Sequence, residues 1–108
     1  MIRQTVTLTN TGTSDPIRTD PTQGEISILA LLGIANSATA DVEFTPDKPD
    51  ATLGSDNWTN STWYTVSDLN QATATTWALI DTPIEGLRAN CTAHTDGNVT
   101  LQVIQGDG

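Results

Sequence analysis

Apolar and polar side chains alternate one for one along "TVTLT" (residues 5–9), with Val6 and Leu8 on one face and Thr5, Thr7 and Thr9 on the other. A period of two is that of a half-buried strand. "TADVEFT" alternates in the same way, and "STWYTV", "TTWALI", "EGLRANCTAH" and "NVTLQVIQ" supply further strand-like runs. Clusters of Gly, Pro, Asn and Asp interrupt these runs at the roughly 8–12-residue spacing typical of sandwiches and barrels. The pattern predicts about eight strands in an all-β, single-domain antiparallel β-sandwich over residues 1–108, of jelly-roll or immunoglobulin-like topology.

One run departs from simple alternation. "EISILALLGIA" is apolar on both faces, with Ile26, Ile28, Ala30, Leu32 and Ile34 on one side and Leu29 and Leu31 on the other. Ile28, Leu31 and Leu32 also satisfy helical spacing, but Gly33 weakens a helix interior, so a strand is expected. Its second apolar face then needs a cover, from another strand or from a neighbouring subunit. At the C-terminal end, a three-residue turn over Thr95 to Gly97 would pair Ala93 with Val99, Cys91 with Leu101 and Ala89 with Val103. This register matches apolar to apolar throughout and predicts a hairpin with Gly97 in the left-handed position.

Composition narrows the functional classes. Four Lys+Arg stand against thirteen Asp+Glu, a formal charge of −9. That balance repels nucleic-acid phosphates and anionic membranes, so neither is an expected partner. No run reaches the roughly 18 apolar residues of a membrane span, and "MIRQTVTLTN" lacks a signal-peptide core, so a soluble protein made in a cytoplasm without an export signal of its own is expected. With one cysteine there is no disulfide framework. Cys91 and His94 are three apart on a predicted strand and should point to opposite faces, the thiol into the core, so they form neither a metal site nor a dyad. The aspartates fall in predicted turns without EF-hand spacing. A calcium ion, if there were one, would belong in "DKPDATLGSDN". No nucleophile elbow or phosphate-binding glycine loop occurs, and no catalytic, metal or cofactor residue is assigned. The Asn-x-Thr triplets at Asn57, Asn60, Asn90 and Asn98 are incidental in so threonine-rich a chain.

The aromatic residues are few: three Trp, one Tyr and one Phe. Trp63 and Tyr64 are adjacent, so a strand sends them to opposite faces. Trp63 and Trp77 are expected as buried anchors of a small core, and Tyr64 as the outward member of its pair. Trp58 precedes the strand in a polar loop and is expected to make an external contact.

"TADVEFTPDKPD", "STWYTV" and "IEGLRANCTAHTDGNVTLQVIQGDG" together resemble, in order and spacing, a group of small β proteins encoded among the head genes of tailed bacteriophages. In that group an alternating strand leads into an aspartate-rich loop and a Thr-Trp-aromatic stretch, then an Ile-x-x-Leu-Arg-like strand, a Gly turn and a Val-Thr-Leu-x-Val-Ile-Gln-Gly ending. Here Trp63 and Tyr64, Leu87 and Arg88, and Val99 to Gly106 occupy the matching places, and the likeness covers the C-terminal two-thirds of the chain. "EISILALLGIA" is more apolar than the group's pattern. The resemblance implies a capsid decoration or cement protein, made in the bacterial host cytoplasm and carried on the outer surface of the virion's capsid. It would associate with itself as a dimer or trimer and bridge major capsid protein subunits. Contacts are expected at Met1, Ile2, Arg3 and Gln4, at Leu29 and Leu31, and at Trp58 and Tyr64. The alternative is a carbohydrate-binding or adhesion module of a tail fibre or spike, with Trp58 and Tyr64 stacking on sugar rings.

Overall fold

The computed structural model describes residues 2–19, 28–35, 37–47, 58, 61–80 and 84–105. In chain order the elements are β1 (Ile2–Leu8), β2 (Gly12–Thr13), β3 (Ile17–Arg18), β4 (Ile28–Ile34), β5 (Ser37–Thr45), β6 (Tyr64–Thr65), one turn of 3-10 helix (Ser67–Leu69), β7 (Thr76–Ile80), β8 (Gly86–Asp96) and β9 (Val99–Gln105). All pairings are antiparallel. One sheet has the order β1-β9-β4-β7, and the other has the order β2-β8-β5-β6 with β3 also on β8.

The pairings nest. If β2 and β3 are taken as one interrupted strand, β1 pairs with β9, β2 and β3 with β8, β4 with β7, and β5 with β6. A single long hairpin rolled over on itself produces this series, and the result is a jelly roll. An immunoglobulin-type sandwich pairs its first strand with its second. Here the first strand lies beside the last.

β4 is a strand, and its alternation is clean. Ile28, Ala30, Leu32 and Ile34 are buried, while Leu29, Leu31 and Gly33 are half-buried on the outer face. The buried set meets Ala38, Ala40 and Val42 of β5, Leu87, Ala89 and Cys91 of β8, and Val99, Leu101 and Val103 of β9 in one core. Leu69, carried by the 3-10 turn, joins them.

No indole enters this core, contrary to the expectation for Trp63 and Trp77. Trp77 is 59% exposed, and Trp63 is half-buried outside the core cluster. The reason is the size of the inward positions. Ala78, next to Trp77, is buried opposite Ala30, and alternation then forces Trp77 outward. Either parity of "TTWALI" is a valid strand. The alanine-lined core selects the one that keeps the indole out.

The expected C-terminal hairpin is absent as well. β8 and β9 are consecutive but belong to different sheets, and β9 pairs with β1 and β4. Gly97 does take a left-handed conformation (φ 87°), but the turn it makes carries the chain from one sheet to the other. Ala89 and Cys91 therefore meet Leu101 and Val103 across the core, where matching apolar patterns are satisfied as well as they are edge to edge.

Candidate functional site

Outward residues of β4 and β7 lie side by side because their register pairs Leu29 with Leu79 and Leu31 with Trp77. β9 adds Ile104 beside Leu29 on the other flank. Trp77 and Leu79 are the most exposed large apolar side chains of the described chain, at 59% and 61%. Leu29, Leu31 and Trp77 line a shallow depression of about 360 Å³. This half of the sheet carries no charge. The other half is polar, with Arg3, Thr5 and Thr7 exposed on β1 and Gln102 half-buried beside them on β9. Leu29 and Leu31 are thus brought into one patch, as expected. Trp77, Leu79 and Ile104 were missed, although an outward-facing apolar strand demands apolar neighbours on the same face.

The opposite sheet has a different exterior. Arg88 of β8 pairs with Glu43 of β5 at 2.7 Å, and its guanidinium stacks over the Trp63 ring at 4.3 Å. Trp58 packs on Trp63, with ring centroids 5.6 Å apart and planes tilted by 45°. A β-carbon on Gly86 would lie 2.7 Å from the Trp58 ring, so this glycine makes room for the indole. Trp58 is accordingly half-buried within the monomer. The expected division of Trp63 and Tyr64 between faces holds with the faces exchanged. Trp63 lies outward on Arg88, while Tyr64 pairs with Phe44, whose ring packs against the core. Tyr64 sits at the sheet's edge and stays 50% exposed, its ring 5.7 Å from that of Phe44.

Residues Ile2, Arg3 and Gln4, where contacts are expected, are part of the sheet. They belong to β1 and pair with Gln105, Ile104 and Val103. The side chain of Ile2, all of Met1 and residues 48–57, which make up most of the loop expected to hold any calcium ion, lie outside the described residues.

Cys91 is buried, as expected, but His94 does not point to the opposite face. The β5–β8 register shifts by one between Thr39 and Ala40, so His94 lies opposite Ala38 and Cys91 opposite Ala40, on one side of the sheet. A bulge resets the two-residue parity. The two groups still do not address each other. The thiol bonds to the Ala93 carbonyl at 3.4 Å, and His94 Nε2 donates to the Gly97 carbonyl at 2.6 Å. Asp41, also buried, accepts from the Gln71 backbone amide and from its side-chain Nε2, and Gln71 takes a left-handed φ of 54° to reach it. A groove of about 420 Å³ runs between the β6 and β7 edges, lined by Phe44, Val66, Asp68, Leu79, Ile80 and neighbours. No three His, Cys, Asp or Glu side chains converge among the described residues.

No family model matches the chain, and neither a curated protein nor a solved structure matches it.

Proposed function

We propose that the chain is a structural virion protein, a decoration or cement protein of a phage head that bridges major capsid protein subunits on the outer surface of the shell. The observation that supports this reading is the uncharged half-face formed by Trp77, Leu79, Leu29 and Leu31 on a domain of net charge −9. Exposed apolar patches on small soluble domains mark association surfaces. The net negative charge keeps such a domain apart from random neighbours, while this uncharged patch adheres to a complementary one. The role is mechanical and not catalytic. Burying apolar surface at many sites on a shell adds weak contacts into a strong coat, because each copy holds its neighbours at high effective concentration.

A carbohydrate-binding module finds less support. Sugar stacking needs open aromatic faces set side by side, whereas Trp63 is covered by Arg88, Trp58 rests on Gly86, and the exposed rings of Tyr64 and Trp77 belong to different sheets. The deciding experiment is quantitative protein composition of the purified particle that encodes the chain. Copies in proportion to the major capsid protein are expected. Absence from the particle, or a handful of copies, sinks the proposal.

A further inference from the structure

The strands that end the two sheets are unequally protected. β2, β3 and β6 are two residues long, too short to template a neighbour. β1 is long but presents Arg3, Gln4, Thr5 and Thr7 to solvent. β7 differs from all of them. Its five residues, Thr-Trp-Ala-Leu-Ile, include no charge, proline or glycine, and its pairing with β4 runs without a bulge from Thr76 to Ile80. Among the described residues, no strand pairs with its outer edge. Sheet edges are normally blunted by charge, proline, bulges or brevity. β7 has none of these devices in its own residues, with the 3-10 turn Ser67–Leu69 packed beside it across the groove, and it also carries the two most exposed large apolar side chains.

We infer that β7 is the docking edge for a second copy of this chain, paired antiparallel about Ala78 across a two-fold axis. The sequence of the strand is self-complementary in that register. Trp77 of each copy falls beside Leu79 of the other on the outer face, Thr76 falls beside Ile80, and the small inward Ala78 meets itself. Each cross-strand pair on the outer face joins an aromatic to an aliphatic side chain, a favourable combination. Charge argues for the same occupant. Two copies of −9 repel, and the outward side chains of β4 and β7 are where they meet without setting like charges opposite each other, Asp68 lying in the groove it shares with Leu79 and Ile80. A cationic partner would find no carboxylate on the outer faces of β4 and β7 themselves.

The area sets the strength. Trp77 and Leu79, with the outer faces of Leu29 and Leu31 and the edge backbone, can withdraw on the order of 400 Å² per copy from water, or about 800 Å² in all. Stable complexes start near ~1,200 Å². The free dimer is therefore weak, with Kd on the order of 10 μM to 1 mM. Pairing makes a continuous eight-stranded sheet whose two β1 strands, with Arg3 and Gln4, lie at its far ends, about 34 Å apart at ~4.8 Å per strand. That such a pair spans neighbouring shell subunits rests on the proposed function, but the pairing itself does not.

Sedimentation equilibrium of the full chain from 10 μM to 1 mM, joined to hydrogen exchange, tests it. A monomer–dimer equilibrium is expected, with amides of Thr76–Ile80 protected more strongly as concentration rises. Leu79→Lys and Trp77→Lys, each with an unchanged urea midpoint, should weaken it at least tenfold, and Arg3→Glu should leave it unaltered. A monomer up to 1 mM with concentration-independent exchange at Thr76–Ile80 overturns the inference. So does an association indifferent to both lysine variants or abolished by Arg3→Glu. A monomer found in stoichiometric amounts on the particle removes the pairing alone, and a dimer absent from the particle removes the shell role alone.

Discussion

Replacing Gly86 by alanine should change the sign of its effect with the residue at position 58. An added β-carbon lies 2.7 and 2.8 Å from Trp58 Cη2 and Cζ3. Carbon atoms prefer about 3.5–4.0 Å, so the overlap approaches ~1 Å and the ring must retreat. Overpacking of this kind costs about 1–3 kcal/mol, and a displaced Trp58 also surrenders its contact with Trp63, worth ~0.5–1.5 kcal/mol. Against this, alanine in a strand gains about 0.5–1 kcal/mol over glycine because the unfolded chain is less free. Gly86 is not among the positive-φ glycines, and the remaining neighbour, the Ile17 carbonyl oxygen at 3.4 Å, is at ordinary contact distance. Gly86→Ala in the native background is therefore expected to destabilise by about 1–2 kcal/mol. In a Trp58→Ala background it should stabilise by about 0.5–1 kcal/mol, a coupling of roughly 1.5–3 kcal/mol. Urea denaturation of the four proteins, followed by far-UV circular dichroism so that loss of an indole does not alter the signal, measures the cycle. Equal effects of Gly86→Ala in both backgrounds would refute the packing of Trp58 on this strand.

Other substitutions probe the remaining assignments. Leu101→Ala, at a fully buried position in β9, should cost about 2–5 kcal/mol in urea denaturation, whereas Trp77→Ala should stay within about 0.5 kcal/mol of the parent despite removing the larger side chain. Asp41→Ala leaves the Gln71 amide without its acceptor and should cost about 1–3 kcal/mol by the same assay, with faster exchange of the Gln71 amide. Arg88→Lys keeps the charge but gives up the planar stack on Trp63 and is expected to cost about 1 kcal/mol in urea denaturation. The Cys91 thiol, 2% exposed, should react with a bulky aromatic disulfide only as fast as the chain opens, so its labelling rate should rise with urea.

Strand positions and their inward sets were largely legible in the sequence, because a two-residue period marks them wherever one face is buried. Which strands pair was not. Ala89, Cys91, Val99, Leu101 and Val103 align equally well as a hairpin and as two walls of one core, and only the nesting of all the pairs decides between them. Parity was equally ambiguous for Trp77, since size suggests burial but Ala30 and Ala78 leave no inward space. The bulge that turns His94 to the side of Cys91 leaves no mark in a pattern of types, for an extra residue is visible only against its partner strand. Trp58 depended on Gly86, which lies twenty-eight residues away in the chain.

The same nesting explains how the outer face that carries the proposed association surface is divided. Rolling the hairpin places β1 and β7 at opposite edges of one sheet and seats the most apolar strand, β4, next to β7. The outer face then splits into a wet half on β1 and β9 and an apolar half on β4 and β7. An apolar strip in the middle of a sheet could be covered only from above. Placed at an edge whose backbone is also unpaired among the described residues, it can be covered from the side, with main-chain hydrogen bonds setting the register and Trp77 and Leu79 supplying the apolar contact. Covering it from the side leaves the polar half and both β1 strands in solvent, where the proposed shell contact would be made. A substitution that charges β7 should therefore weaken self-association first, and shell attachment only as far as multivalency depends on pairs. Binding of Leu79→Lys to particles stripped of the protein, compared with binding of Arg3→Glu, separates these two contributions.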